Sequence, residues 1–323
     1  MAERLETGPM RTGSMKTGDV WGDRAFRAVA LAAGLLVLVA LALIAGVTTA
    51  KAMPAFRHEG VGFVTTNDWD PNKDQFGALA FIYGTLVASA IALVFAVPLS
   101  FGIALFTTEI AKGRLRSLVT SVIDLLATIP SVVYGLWAFL VLTGPIKGVY
   151  QAIADTLGQV PGFAALFGGP VSGAAFMTAG LILAVMITPI ITSLSREAML
   201  TVAQDDKNAA LAMGATRWEM LRVAVFPRVR SGLTGAVMLG LGRAMGETIA
   251  VAFVIGSNAQ ITSKLFQPGD SMASVIAHNF GEATGLARSA LIGLGVVLFA
   301  ITIAVNMAAR LVTRRSARAL GAR

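Results

Sequence analysis

Charged side chains inside long apolar runs are the residues of this sequence best placed to do chemistry. Arg243 and Glu247 lie in SGLTGAVMLGLGRAMGETIAVAFVI, residues 231–255, and Asp124 lies in LVTSVIDLLATIPSVVYGLWAFLVL, residues 118–142. An ionised group at the centre of a bilayer costs about 2.5–3.5 kcal/mol on insertion scales, so such groups face a bundle interior or a wet path. Arg243 and Glu247 are four residues apart, which puts them on one face of a continuous helix. They read either as a pair that only neutralises itself, or as a cation offered to a passing anion and held in place by Glu247. Guanidinium is a planar fork matched to oxyanions. Asp124 is either a second partner for Arg243 or a residue near one end of its helix. Gly242 and Gly246 form a small-xxx-small pair that would allow close helix packing.

Other chemistries find little support. The sequence has no cysteine, which excludes disulfides, thiolate catalysis and cysteine-based metal sites. His58 and His278 lie far apart, with no cluster at ligand spacing. Asp68, Asp70 and Asn72 alternate like the start of a calcium loop. Lys73 at the glycine position and Leu79 at the closing glutamate position reject that match. No metal and no cofactor is expected in this chain. No GxxxxGK[ST] string is present, so ATP hydrolysis is not expected here either.

The elements that position the charges are membrane helices. The chain of 323 residues is 55% hydrophobic and 14% charged, against roughly 25% charged in soluble domains. The apolar runs predict an all-α integral membrane protein with six spans, at about 26–50, 77–106, 118–142, 173–194, 231–255 and 286–312. The first is too long for a signal-peptide core and reads as retained. Polar loops are expected at 51–76, at 144–172 (with a short helix near 149–157) and at 257–285. Residues 1–25 read as a tail, as do residues 313–323. Of the 26 lysines and arginines, 17 fall in the tails and in 107–117 and 195–230, with Arg27 and Arg310 at the adjoining span ends, and 5 in the other loops. The positive-inside bias therefore puts both termini in the cytoplasm and explains the net charge of +8 without nucleic acid.

The longest charged connection, 195–230, contains NAALAMGATRWEMLRVAVFP at 208–227. Ala209, Ala210, Met213, Leu221 and Val225 fall on one side of a helical pattern. Asp205, Asp206, Lys207, Arg217, Glu219 and Arg222 fill much of the other. Gly214 is a natural helix stop, and Pro227 marks a break before the next span. By pattern alone this is an amphipathic helix that could lie on lipid.

The same residues resemble the EAA motif of permease subunits of bacterial ABC importers: Ala209, Ala210, Gly214 and Pro227 match at the right spacing. Asn208, Ala224 and Phe226 stand where the family has Glu, Ile and Leu. The resemblance implies a coupling segment at 205–227, with Ala209, Ala210, Met213, Gly214 and Pro227 docking on an ATPase. FGALAFIYGTL at 76–86, VPLSFGIALFTTE at 97–109, IPSVVYGLWAF at 129–139 and GLGRAMGETIAVAFVIG at 240–256 resemble permeases of the bacterial high-affinity phosphate importer, the phosphate-specific transport system. The long first loop and the IAVAFVIG continuation look more like its C-type subunit. This implies a type I ABC importer permease fold, with a permease domain at 26–312 and a core at about 77–312. It implies phosphate passage at Arg243 and Glu247, with Asp124 a further candidate. The implied partners are a homologous second permease, two subunits that bind ATP and magnesium, and an extracytoplasmic phosphate-binding protein, all at the bacterial cytoplasmic membrane. Another oxyanion importer, or an ion-coupled transporter using Asp124, Arg243 and Glu247 as a proton relay, stays open on residue chemistry alone. An enzyme acting on lipid phosphate would need a nucleophile or metal cluster that the sequence lacks.

The orientation is tested directly because the chain has no native thiol. Single cysteines at Thr66 and Ser263 should label with an impermeant reagent in intact cells. Labelling at Ser316 instead would reverse the topology.

Overall fold

Backbone amides cannot stay without partners in hydrocarbon, so a chain this apolar crosses it as helix. The computed structural model describes residues 19–319. The expected tails at 1–25 and 313–323 lie in part outside the described residues, and their described parts are helical: the first helix already begins at Asp19, and the last runs to Ala319. The chain divides at Ala50 into two units. The first holds most of helix α1 (Asp19–Glu59), whose Leu31, Leu35, Leu38, Val39 and Ile44 are all exposed. A helix apolar all round suits a lipid environment.

The second unit begins with the end of α1, which runs nine residues into the expected loop 51–76. The rest of that segment is packed rather than open. Helix α2 (Gly62–Thr65) leads to an antiparallel pair, β1 (Trp69–Asp70) and β2 (Gln75–Phe76). Trp69 meets Phe76 and Phe81 edge-on, with ring centroids 5.2 Å apart in each case. The Glu59 carboxylate accepts the Phe76 N–H at 2.9 Å.

Helix α3 (Leu79–Leu105) continues through a π-turn at Phe106–Ile110. Its inner face repeats every four residues as Gly84, Ala88, Ala92, Ala96, Ser100 and Ala104, all buried. That row of small side chains packs against α8 (Phe176–Leu200). A Cβ added at Gly180 of α8 would stand 2.4 Å from Ile91, and the Ser100 hydroxyl donates to the Thr188 carbonyl at 3.2 Å. Without a hydrophobic drive between helices in lipid, close van der Waals contact of this kind holds membrane helices together.

The expected third span, 118–142, is not one helix. Helix α4 (Gly113–Thr128) stops at Ile129, which is extended because Pro130 disfavours helical geometry in the residue before it. Helix α5 (Ser131–Trp137) passes through a π-turn at Ala138–Leu142 into α6 (Thr143–Leu157). The span is Ser131–Leu157, so the expected loop at 144–172 is helical over its first half. Helix α7 (Ala164–Phe167) follows.

Beyond α8 come α9 (Gln204–Ala212), α10 (Arg217–Met220), a π-turn at Leu221–Val225 and α11 (Phe226–Gly246). Helix α12 (Ile249–Val254), α13 (Met272–Asn279) and α14 (Gly285–Ala319) complete the described chain. Among the described residues five helices are long and apolar enough to cross a membrane: those beginning at Gly22, Leu79, Ser131, Phe176 and Gly285. The remaining expected span, 231–255, is the interrupted pair α11–α12, which carries Arg228, Arg230 and Arg243.

The expected loop at 257–285 is not simply open: its first part folds back onto the bundle, and Met272–Asn279 is helix α13. Ser172, Phe176 and Met177 donate N–H bonds to the carbonyls of Phe266, Gln267 and Leu265. Backbone groups of this irregular segment thus find partners within the protein. Asp270 is buried here, accepting from the Ser271 N–H at 2.8 Å, and burial pushes its carboxyl above the usual carboxylate range.

The close contact between α3 and this segment makes a sharp prediction. A Cβ at Gly84 would stand 1.8 Å from the Asp270 carbonyl oxygen, whereas one at Gly102 would meet nothing within 4 Å. Gly84→Ala should cost at least about 1–3 kcal/mol and lower the thermal midpoint of the solubilised protein, while Gly102→Ala should not. Equal midpoints for the two variants would contradict the packing described.

Candidate functional site: a groove beside an interrupted helix

Helix α11 has two faces. Val229, Leu233, Ala236 and Gly240, at spacings of three and four, are buried, and an added Cβ at Gly240 would stand 2.7 Å from Ile191 of α8. The opposite side carries Ser231, Gly235, Met238 and Gly242 and lines an open groove of about 700 Å³ together with Asn306 and Arg310 of α14. The close packing expected at Gly242 and Gly246 is absent within this chain: a Cβ at either would meet nothing within 4 Å. Gly240 makes the close approach instead, and Gly242 keeps the groove wide.

Arg243 lines this groove and is exposed. Glu247 is not beside it. The helix ends at Gly246, and Glu247 is extended at φ −71 and ψ 126. Its carboxylate accepts the Ala250 N–H at 3.4 Å, inside the first turn of α12. The Thr248 hydroxyl donates back to the Gly246 carbonyl at 3.2 Å. The Gly-Glu-Thr triplet thus satisfies backbone groups that a helix end leaves open on both sides of the interruption. The pairing expected from the four-residue spacing needs a continuous helix. Among the described residues no carboxylate lies within 4 Å of the Arg243 guanidinium.

Asp124 is exposed on α4 and is not among the residues lining the groove. One turn before it, Thr120 accepts from the Arg196 guanidinium of α8 at 3.0 Å. Asp124 itself forms no ion pair with Arg243.

The segment 205–227 has the helix–glycine–turn shape its pattern predicts. Gly214 has φ +87, a left-handed conformation that favours glycine, and the Ala215 N–H reaches back to the Ala210 carbonyl at 3.2 Å. Thr216 and Glu219 then form a reciprocal capping box that starts α10, and these bonds hold the Glu219 carboxyl below the usual range. Two expectations change. Pro227 does not break the chain: it sits in the first turn of α11, after a π-turn, where a proline ring is tolerated. Lys207, assigned to the polar face, is buried and bonds to Glu109 at 2.5 Å, while Met213 is 83% exposed. Ala210 is buried and Ala209 is exposed. Met213, Trp218 and Val223, in and after the turn, are exposed apolar side chains.

Residues 96–318 match the family described as "Binding-protein-dependent transport system inner membrane component". The chain is 43% identical over 311 residues to the phosphate transport system permease protein PstC of Xylella fastidiosa strain 9a5c, covering 96% of each. The chain belongs to the PstC family of inner membrane permeases. The Haemophilus influenzae PstC is 41% identical, covering 91% of this chain and 93% of that protein. The probable PstC of Methanocaldococcus jannaschii is 34% identical over 87% of this chain and 90% of its own length. Of solved structures, a bacterial ABC transporter importing alginate, in complex with its alginate-loaded periplasmic protein, aligns at TM-score 0.60 and 16% identity, covering 92% of this chain and 98% of that one. The MetNI methionine transporter aligns at TM-score 0.52 and 17% identity, over 72% and 90%. These two carry the fold alone: an ABC importer permease. The family is one of membrane transport components, not enzymes.

The Glu109–Lys207 pair joins residues 98 positions apart, so it is invisible to local patterning. Removing one partner of a buried pair costs about 3–5 kcal/mol, whereas replacing both can be near neutral. Lys207→Met should lower the thermal midpoint of the solubilised protein markedly, and adding Glu109→Leu should recover most of the loss. A single variant as stable as the parent would mean the pair does not anchor α9.

Proposed function

We propose that this chain is the membrane-spanning permease subunit of an ATP-driven importer that moves inorganic phosphate across the cytoplasmic membrane. The observation that carries the reading is Arg243: a guanidinium in an open groove at an interrupted membrane helix, with no carboxylate within 4 Å among the described residues. Interrupted helices are where transporters set their sites. Phosphate is a mono- or dianion near neutral pH, and a guanidinium meets its oxygens in pairs. Glu247 contributes by capping α12 and so fixing the interruption. Asp124 has the weaker case, since it is not among the residues that line the groove. A guanidinium suits sulfate and molybdate as well. The likeness to proteins named as phosphate permeases, over nearly the whole chain, favours phosphate.

The remaining assignments follow from the same reading. Both termini and the 195–230 connection lie in the cytoplasm, as the basic-residue asymmetry supports. The turn at Gly214, with Ala209, Ala210, Met213 and Pro227 around it, docks on an ATPase subunit. Two such subunits supply ATP and magnesium, and this chain holds no cofactor of its own. A homologous permease covers the open side of α11, and an extracytoplasmic phosphate-binding protein delivers the anion.

The test is transport by the complete importer in proteoliposomes. Labelled phosphate should accumulate only with ATP, should be indifferent to a protonophore, and should be displaced by unlabelled phosphate far better than by sulfate or molybdate. Accumulation that follows a proton gradient without ATP, or stronger displacement by sulfate, would overturn the proposal.

A further inference from the structure

We infer that Arg310 and Asn306 of α14 form a second oxyanion site in the groove, which takes the anion from Arg243 and releases it at the cytoplasmic mouth. The inference rests on the reading of this groove as a phosphate path. Both side chains line the same groove as Arg243. They are four residues apart on α14, one turn above the other on a single face. Ser231, near the start of α11, lines the groove too, and in the topology proposed above α11 begins and α14 ends on the cytoplasmic side.

The chemistry of this end is that of an anion site. A guanidinium, a side-chain amide and a hydroxyl all donate hydrogen bonds to phosphate oxygens. Among the described residues the Asn306 side chain makes no hydrogen bond and Arg310 has no carboxylate within 4 Å. The Thr234 hydroxyl is committed to the Arg230 carbonyl at 2.8 Å, so Asn306 and Ser231 supply the neutral donors. No Asp or Glu lines the groove, so its two cations act with one sign.

Geometry makes a second station necessary. Ser231 and Arg243 are twelve residues apart on α11, about 18 Å at 1.5 Å per residue, which one guanidinium cannot span. Between them the wall offers Met238 and Leu239, which give an anion nothing to hold. Passage through a narrow path works best with several sites, each weak enough to leave. The competing account is an arginine near a helix end that merely reaches toward lipid headgroups.

The test uses the complete importer with a single cysteine in this chain at Ser231, since the chain has none of its own. The rate of modification by an anionic thiosulfonate is divided by the rate for a cationic one, and labelled-phosphate uptake is measured separately on the same variants with Ser231 intact. Arg310→Gln should lower the anion-to-cation ratio about tenfold, the lower end of what a charge-lined cleft does to local counter-ion concentration. Arg310→Lys should largely preserve it. In the absence of the cysteine, Arg310→Gln should lower maximal uptake about tenfold, with the half-saturating phosphate concentration and ATP hydrolysis retained. Asn306→Leu should lower uptake less and leave the reagent ratio unchanged. An unchanged reagent ratio in Arg310→Gln overturns the site and leaves the lipid-facing account. Normal uptake by that variant overturns it equally. A ratio that depends on Arg310 in an importer that carries no phosphate would support the anion site and defeat the phosphate reading alone.

Discussion

The contact between α3 and α8 is the constraint on which the rest of the bundle depends. Gly84, Ala88, Ala92, Ala96, Ser100 and Ala104 form a ridge of small residues with a four-residue period, and α8 lies against it closely enough to meet Ile91 at Gly180. With α8 fixed, its other sides are assigned: α11 packs on it through Gly240 and Ile191, and α4 through Thr120 and Arg196. Using one face of α11 for α8 leaves the opposite face, with Gly235 and Gly242, to the groove. The site is therefore a consequence of where small residues let backbones approach.

The interruption at Gly246–Thr248 decides what the charges can do. In a continuous helix Arg243 and Glu247 would neutralise each other, and the pair would be silent toward an anion. Turning Glu247 out of helical geometry sends its carboxylate to the α12 backbone. Arg243 is left facing the groove. In the proposed reading, the cost of a guanidinium in a membrane helix is met by the open groove that Arg243 lines.

Much of this was legible in the sequence, and what was not has a physical reason. Apolar runs located most spans, the basic residues grouped the connections, and Gly214 marked a turn that does require positive φ. Arg243 stood out because charge is rare in such a run. The interruption was harder. Glycine followed by Glu and Thr is a stop-and-cap signal, but in a 25-residue apolar run length outweighs it. Pro227 misled because a π-turn absorbs its ring, and nothing local announces a π-turn. The burial of Lys207 and the place of Arg310 in the groove escaped local reading for a common reason: they depend on Glu109 and on α11, which only tertiary packing brings near. The small-residue ridge of α3 was present in plain sequence and is read by counting every fourth residue.

The central claim is that Arg243 serves the passing anion instead of pairing with Glu247. The most direct measurement exchanges the two charges, Arg243→Glu with Glu247→Arg, in the assembled importer, and follows labelled-phosphate uptake beside ATP hydrolysis and complex assembly. A buried pair tolerates such an exchange, because the attraction survives it. A substrate-facing cation does not, because the groove then presents a carboxylate to an anion. The account predicts an exchanged importer that assembles and hydrolyses ATP yet carries phosphate at less than about a tenth of the parent rate, the equivalent of about 1.4 kcal/mol or more in the transport barrier. Parent-like uptake by the exchanged variant, with Arg243→Glu alone inactive, would contradict it.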